Sequence, residues 1–435
     1  MFEPNANSSE LVHRVAERMK SGQHPGYEGN LTFEADDGVY SFLKFETRWM
    51  LNFLEVLKSL DFPPISLSAT GGGAFKVFAA RCAEMYPDTS LHSLVQFSPA
   101  FQRTIGATIE PCDEMTSLVR GFRFCFEVRA SCAARPGLQP TMRHSQTQEQ
   151  EAFTYNQHSS NDPAWKKEGM LPGSADDGVL LVNIGSGVSL LKLQAGHAAE
   201  EPNARRWRIP NLGSVERISG CSVGGATFLG LSRLLTRAES FDEAVSLAGM
   251  GDNSRIAMLV KDIYGGEYSR LGLPGDVVAA DFGKMSTVEE VVITDSNGKP
   301  VGHLPPPAVE SSTPSREEYP PTDIHGHVGQ LPRSRSVAGS TLSRSHIVSE
   351  ADLTRGLLVL VLNNIAQVAF MNAQAHGLKQ IFFTGGFLRE GVMMNVLTSA
   401  LKFWSGGSMQ AGFLKHNTYF GAMGAMLEAR SKASP

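Results

Sequence analysis

One stretch, residues 179–191, constrains the fold more than any other part of the chain. It begins with an apolar run, passes through Gly185-Ser186-Gly187 and continues into a second apolar run. Short apolar runs bounded by turn residues are typical of buried strands. Glycine in the turn permits positive φ and lets a ligand approach backbone N–H groups closely. The stretch therefore predicts a hairpin, which is either a phosphate-binding turn or an ordinary tight turn.

Length and composition indicate a soluble globular protein. The 435 residues suffice for two or three domains of roughly 100–200 residues each. A net charge of −5 argues against a surface for nucleic acid or anionic membrane. The five cysteines include no Cys-x-x-Cys pair, so we expect reduced thiols in a cytoplasmic protein. The longest aliphatic run, residues 357–362, is far shorter than the roughly 18 residues of a membrane span, and the N-terminus resembles no signal peptide.

Residue periodicity predicts a mixed α/β chain. Apolar spacing favours helices over residues 241–263 and from a capping box at Ser349 to about residue 375. Residues 115–130 predict a transition from helix to strand. A hairpin is expected across residues 36–38. Strands that lead into or out of polar loops are expected at residues 65–70, 151–155 and 380–384.

Two stretches differ from the rest in composition. Residues 133–150 are rich in Gly, Pro and Gln and predict an exposed loop. Residues 286–348 are rich in Pro and Ser and contain few large apolar side chains. Such a segment cannot bury enough surface to offset its ordering entropy, so we predict a disordered insertion there. Within it, residues 333–336 predict a solubilising linker, with a phosphorylated docking site as the alternative.

Glycine- and serine-rich turns stand beside predicted strands at residues 70–73, 185–189, 219–225 and 384–386. Repeated loops of this kind suggest one nucleotide held between two α/β halves, with ligands at strand ends. No Gly-x-x-x-x-Gly-Lys-Ser/Thr or Gly-x-Gly-x-x-Gly motif stands at these places. That absence argues against a P-loop NTPase and a Rossmann dehydrogenase.

Seven motifs in a fixed order carry a resemblance to a known family. They are Ala69-Thr-Gly-Gly-Gly-Ala-Phe-Lys76, Leu181-Val-Asn-Ile-Gly-Ser-Gly-Val-Ser189, Arg217-Ile-Ser-Gly-Cys-Ser-Val-Gly-Gly225, Thr227-Phe-Leu-Gly-Leu231, Asp262-Ile-Tyr-Gly-Gly266, Phe383-Thr-Gly-Gly-Phe-Leu-Arg389 and Tyr419-Phe-Gly-Ala422. Together they resemble the eukaryotic pantothenate kinases, of the superfamily of acetate and sugar kinases, heat-shock ATPases and actin. The resemblance implies two ribonuclease H-like (actin/sugar kinase-like) domains, residues 1–180 and 181–435, that flank a nucleotide cleft.

The resemblance also implies the reaction and its residues. The family phosphorylates pantothenate with ATP and Mg²⁺, and acetyl-CoA is its feedback ligand. Glu151 matches the general base, with Glu149 as a rival, and Arg217 matches an arginine that pairs with substrate carboxylate or phosphate. Ser186 and Ser189 match serines that touch nucleotide, pantothenate or acetyl-CoA. The matching nucleotide-binding glycines are Gly72, Gly73, Gly185, Gly187, Gly224, Gly225, Gly385 and Gly386, the last standing in place of an asparagine. No metal ligand is assigned.

One departure from the family leaves two hypotheses open. The family's first phosphate loop, Asp-x-Gly-Gly-Ser/Thr, does not occur, and Phe2-Glu3-Pro4 resembles the residues that follow it. We therefore expect either an active kinase whose sequence lacks its natural start or a catalytically impaired regulatory subunit that binds acyl-CoA or an active partner chain. A third hypothesis is a kinase that acts on a sugar or on acetate. The motifs at residues 151–155 and 262–266 argue against it. The family implies a homodimer, or a heterodimer with a related chain.

Overall fold

A computed structural model describes most of the chain and shows a mixed α/β architecture. The described residues are 14–15, 17–18, 31, 33–35, 38–43, 50–60, 66–70, 98–132, 152–155, 163–165, 178–194, 215–288, 290–304 and 345–433. They belong to two compact units, Met1–Thr227 with Val361–Pro435, and Phe228–Leu360. The α/β class predicted from the sequence is confirmed, whereas the domain boundary near residue 180 stays a prediction.

The secondary-structure elements are numbered here in chain order. The strands are β1 (Phe33–Ala35), β2 (Gly38–Tyr40), β3 (Ser66–Ala69), β4 (Thr108–Pro111), β5 (Ala152–Tyr155), β6 (Pro163–Trp165), β7 (Val179–Ile184), β8 (Val188–Leu193), β9 (Val215–Cys221), β10 (Met258–Leu259), β11 (Val278–Ala280), β12 (Glu290–Thr294), β13 (Pro300–Leu304), β14 (Ser345–Ser349), β15 (Gln380–Thr384) and β16 (Ala411–Leu414). The α-helices are α1 (Met50–Ser59), α2 (Ser98–Ile105), α3 (Glu114–Cys132), α4 (Gly225–Leu235), α5 (Phe241–Met250), α6 (Val260–Tyr264), α7 (Glu350–Ala375), α8 (Gly391–Trp404) and α9 (Phe420–Ala433).

A seven-stranded mixed sheet organises the first unit, in the order β6-β5-β16-β15-β7-β8-β9. Strands β7, β15 and β16 are parallel neighbours, and antiparallel strands extend the sheet on both sides. Leu180, Leu181 and Val182 of β7 are all fully buried. A strand covered on both faces needs a continuous apolar run instead of alternation. The strands predicted near residues 151–155, 179–191 and 380–384 are confirmed, as are β3 and the β1–β2 hairpin.

Helices α3 and α9 cross at close range and share a core with this sheet. A Cβ at Gly424 would overlap the backbone of Ser117, and a Cβ at Gly121 would overlap the backbone of Phe420. Only glycine leaves room for the two backbones at these points. The small residues after Tyr419 therefore allow close approach between the two helix backbones.

The predicted change from helix to strand within residues 115–130 is wrong, because α3 is continuous from Glu114 to Cys132. Asp113 begins the helix, since its Oδ1 accepts a hydrogen bond from the N–H of Thr116 over 2.8 Å. Hydrogen bonds from the side chain and from the N–H of Thr116 lower the pKa of Asp113. Phe122 and Phe124 of this helix are buried in the core shared with α9 and the sheet. Tertiary packing outweighs their weak local preference.

The continuous helix predicted over residues 241–263 is also wrong. Helix α5 begins after Ser240, whose Oγ accepts from the N–H of Glu243, and ends at Met250. A Cβ at Gly251 would overlap the backbone of Ala351, so the chain passes directly against α7 there. A 3₁₀ turn, β10 and α6 follow. The apolar spacing was helical, but this close approach interrupts the helix.

Both ends of the predicted disordered insertion, residues 286–348, are ordered. Strand β12 pairs antiparallel with β13 and parallel with β14 in a three-stranded sheet. Val291 and Val348 of this sheet are buried in a core with Ile256 and Leu353. The low apolar content averaged over the whole segment concealed these short buried strands. The middle, residues 305–344, lies outside the described residues, as does the predicted loop at residues 133–150.

Helix α7 begins as the sequence predicts. The Oγ of Ser349 accepts from the N–H of Asp352 over 3.0 Å, and Oδ2 of Asp352 accepts from the N–H of Ser349 over 2.9 Å. This reciprocal pair is the predicted capping box. By length and composition alone, α7 is the one helix in the described part of the chain that could cross a membrane. Half of its most apolar stretch is buried within the fold.

Candidate functional site

The hairpin predicted at the centre of the sequence is present. Strands β7 and β8 pair in register up to Ile184 and Val188, and residues 185–187 form the turn. The N–H of Gly185 donates to the carbonyl of Gly187 over 2.9 Å and closes that turn. Ser186 is exposed at its tip. The turn thus carries one exposed hydroxyl on a hydrogen-bonded pair of strands.

The turn packs directly on the N-terminus of α4. The N–H of Gly225 donates to the carbonyl of Gly185 over 2.9 Å, and the N–H of Ala226 donates to the carbonyl of Ser186 over 3.0 Å. The first N–H groups of a helix usually lack partners and can bind anions. Here two of them are occupied by the turn. These two donors hold the hairpin against the helix and are not available to a phosphate.

Two predicted nucleotide-binding glycines make this contact possible. A Cβ at Gly224 would lie 2.7 Å from the carbonyl oxygen of Ser186 and 2.8 Å from Cα of Gly187. A Cβ at Gly225 would lie 2.6 Å from the carbonyl oxygen of Gly185. The absence of side chains at these two positions therefore lets the turn itself approach the backbone closely. Contact of these glycines with nucleotide stays a prediction.

The structure brings Gly385 to the same edge of the sheet. Because β15 runs parallel to β7, with Thr384 opposite Asn183, the two strands end side by side. Gly385 has a φ of +114°, and a Cβ there would overlap the carbonyl of Ile184. A Cβ at Gly386 would meet nothing within 4 Å. Gly385 is thus required by the fold, whereas position 386 has room for a side chain such as the family's asparagine.

Arg217 and Ser189 also come together. Arg217 lies on β9 and Ser189 on β8, and Nε of the arginine is 3.4 Å from Oγ of the serine. Arg217 is exposed and Ser189 is half-buried. Among the described residues, Arg217 makes no ion pair, so its remaining N–H donors can serve an anionic ligand.

A group of polar residues near the ends of the strands was not predicted from the sequence. Thr384 donates through Oγ1 to the carbonyl of Asn417 over 2.6 Å, and Gly385 donates through its N–H to the same oxygen over 3.4 Å. The Nδ2 of Asn417 is buried and has no partner among the described residues. Asn183 and Thr384 each interrupt an apolar strand near its end. This break in the apolar pattern is the sequence feature from which these polar residues could have been predicted.

Other predicted site residues lie outside the part that the structure describes. These are Glu151, the predicted general base, with Glu149, and the glycines Gly72 and Gly73. Within the described residues, no group of three or more His, Cys, Asp or Glu side chains could hold a metal ion. In and beside the turn, Ser186 offers a hydroxyl and Asn183 an amide oxygen. Mg²⁺ is usually bound through one or two carboxylates and substrate phosphates, so these residues alone do not make a magnesium site.

Comparison with known proteins identifies the family. The Fumble family model matches residues 8–428. Pantothenate kinase 1 of Arabidopsis thaliana is 32% identical over 404 residues, which cover 89% of this chain and 76% of that protein. Pantothenate kinase 2 of Oryza sativa subsp. japonica is 30% identical over 439 residues, 97% of this chain and 36% of that protein. The chain therefore spans only about a third of the rice relative's length.

Two further similarities are weaker. The 4'-phosphopantetheine phosphatase of Mus musculus is 28% identical over 440 residues, which cover 98% of this chain and 39% of that protein. A solved glucokinase from Balamuthia mandrillaris, in complex with glucose, is 10% identical with a TM-score of 0.34, over 97% of this chain and 99% of that one. With so low a TM-score, this similarity supports no conclusion about the present chain. The family model and the plant relatives are decisive: the chain belongs to the Fumble family, the family of the eukaryotic pantothenate kinases.

Proposed function

We propose that this chain transfers the γ-phosphoryl group of ATP to the primary hydroxyl of pantothenate, the first step of coenzyme A biosynthesis. Membership of the family supports this class of reaction. The structural observation that supports it best is the exposed guanidinium of Arg217 beside Ser189, on the ribbon whose turn carries Ser186. An arginine in that setting suits a substrate that bears a carboxylate or phosphate.

The proposed roles follow from these positions. Ser186 would donate to a phosphate oxygen of ATP, and Arg217 with Ser189 would bind the anionic group of either substrate. Glu151 would remove the proton from the hydroxyl, whose oxygen then attacks the γ-phosphorus. The bond to the bridging oxygen breaks, and ADP leaves. Mg²⁺, when bound, supplies charge neutralisation on the phosphates.

The direct test is an assay with isotopically labelled pantothenate, ATP and Mg²⁺, with the phosphorylated product identified by mass spectrometry. It should be run on this chain and on any longer product of the same gene. ATP-dependent formation of 4'-phosphopantothenate by either supports the proposal. Saturable binding of acyl-CoA without turnover by either would instead support the regulatory-subunit alternative.

Two neighbouring glutamates provide a matched pair of variants for the base. Glu151→Gln should lower kcat by roughly two to four orders of magnitude, because the hydroxyl loses its proton acceptor. Glu149→Gln should leave kcat within about twofold of the parent if Glu151 is the base. The opposite result would assign the role to Glu149, and unchanged kcat in both would remove the two from the mechanism.

A second candidate function comes from the mouse relative, whose name describes a 4'-phosphopantetheine phosphatase. The match is 28% identical, lower than the 30% and 32% of the two plant pantothenate kinases. We propose that this chain does not act as that phosphatase. Release of inorganic phosphate from 4'-phosphopantetheine by the same preparation, without ATP, would contradict this.

Family membership also motivates proposals on regulation and assembly. We propose feedback inhibition by acyl-CoA, a homodimer or a heterodimer with a related chain, and a cytoplasmic location. Titration of the kinase assay with acetyl-CoA tests the first proposal. Sedimentation analysis of the purified chain tests the second, and fractionation of the source cells tests the third.

A further inference from the structure

An irregularity in β9 sets which way Arg217 faces. Ser189 of β8 is opposite Gly220, whereas Leu191 is opposite Arg217, so β9 contains one residue more than β8 over this interval. The extra residue is Ile218, which makes this a β-bulge. Side chains alternate along a strand, so residues 217 and 220 would otherwise lie on opposite faces. The bulge places them on the same face, together with Ser189.

Gly220 provides the surface on which the guanidinium lies. A Cβ at Gly220 would overlap Nη2 of Arg217, would lie 3.4 Å from its Cζ, and would lie 3.0 Å from the carbonyl oxygen of Val188. The arginine side chain thus folds back over three residues of its own strand and occupies the space where a side chain at position 220 would stand. On the other side, its Nε is 3.4 Å from Oγ of Ser189.

No charged group holds the guanidinium in this place, as far as the described residues show. Glu216, the adjacent acidic residue, is opposite Lys192 and therefore lies on the other face of the ribbon. A long side chain that is held only by van der Waals contact and one long hydrogen bond keeps its charge unneutralised. Its Nη donors remain free for a bidentate bond to an anion.

We propose that Gly220 is a positioning residue, which holds Arg217 beside Ser189 and presents its Nη donors to an anionic group of the substrate. The group is a carboxylate or a phosphoryl, since both match the guanidinium fork. The inference rests on the proposed function for the identity of that substrate. Any side chain at position 220 would displace the guanidinium, and the arginine would then lose its fixed orientation.

A double-mutant cycle separates positioning from general damage. Gly220→Ala and Arg217→Ala should each lower kcat/KM for pantothenate about 10- to 100-fold, the range for a lost charge-assisted bond. The double variant should lose no more than Arg217→Ala alone, because residue 220 acts through the arginine. Additive losses, or full activity of Gly220→Ala, would overturn the proposal. Gly230→Ala is the control, since a Cβ there meets nothing within 4 Å.

A second readout does not depend on kinase activity. Phenylglyoxal modifies accessible guanidinium groups, and peptide mass spectrometry gives the rate at Arg217 alone. If the Arg217 guanidinium is displaced from its position over residue 220, phenylglyoxal should modify it several-fold faster in folded Gly220→Ala than in the parent or in Gly230→Ala. An unchanged rate refutes positioning even if the parent shows no turnover. A changed rate without turnover in any variant retains the positioning role and rejects only the proposed reaction.

Discussion

The N–H of Gly225 donates to the carbonyl of Gly185 over 2.9 Å, so the first turn of α4 is capped by the hairpin turn. Two segments that stand some forty residues apart in sequence thereby act as one rigid element. The ligand contacts proposed for Ser186, Ser189 and Arg217 would all depend on this element, because each of these residues lies on the β7–β8–β9 ribbon or its turn.

The first prediction concerns the contact between the hairpin turn and the N-terminus of α4. Gly224→Ala should lower the free energy of unfolding by about 1–3 kcal/mol, because its Cβ would lie 2.7 Å from the carbonyl oxygen of Ser186. It should also weaken the proposed binding of ATP, since the turn must move away from α4. Urea denaturation and nucleotide titration measure the two effects.

The control for this prediction lies on the same helix. Gly230→Ala should be neutral or stabilise the protein by up to about 1 kcal/mol, because alanine is the better helix former and has free space there. Equal stability of Gly224→Ala and Gly230→Ala would contradict a close contact between the hairpin turn and the N-terminus of α4.

The second prediction uses the two adjacent glycines after β15. Gly385→Ala should destabilise the fold by about 1–3 kcal/mol, because residue 385 has a φ of +114° and its Cβ would overlap Ile184. Gly386→Ala should change stability by less than about 0.5 kcal/mol, since its Cβ meets nothing within 4 Å. Thermal unfolding of both variants decides the matter, and similar losses in both would be inconsistent with the structure.

The third prediction concerns pH and the second compact unit. Glu350, whose side chain is 6% exposed, accepts hydrogen bonds from the guanidinium and from the N–H of Arg237. The side-chain hydrogen bond from Arg237 lowers the pKa of Glu350 below its ordinary value. A lowered pKa in the folded state means that the stabilisation is present above the unfolded-state pKa and is lost as pH falls through the folded-state value.

Glu350→Gln should therefore lower the free energy of unfolding at pH 7 by about 1.5–3 kcal/mol, the range for a hydrogen bond to a charged group. The difference from the parent should begin to shrink as pH falls below roughly 4.3, the ordinary pKa of a glutamate in the unfolded chain, and should disappear once the pH is below the lowered pKa of folded Glu350. Glu239→Gln is the control, because Glu239 is exposed and forms no side-chain bond with described residues. Denaturant titrations between pH 3 and pH 7 provide the measurement, and a loss independent of pH would disprove the assignment.

Local patterns predicted the elements whose signals lie within a few residues. The capping box at Ser349 and Asp352, the apolar runs of β7 and β15, and the turn at residues 185–187 all formed where expected. Motif order also predicted the family, which the Fumble match confirms. Arg217 and Ser189 were singled out by the resemblance, and the structure brings them within 3.4 Å.

Contacts between residues distant in sequence determined the elements that local patterns did not predict. The strands at the ends of residues 286–348 exist because β12 buries Val291 against distant residues, whereas composition averaged over the segment pointed to disorder. Helix α3 continues through the residues that were predicted to change to a strand, and α9 packs against it at Gly121. The chain's own order of motifs determined the family and the candidate residues. Only the tertiary structure decided that Gly224 and Gly225 contact the hairpin turn and that Gly220 supports Arg217, because close approach between backbones depends on strand register and helix placement.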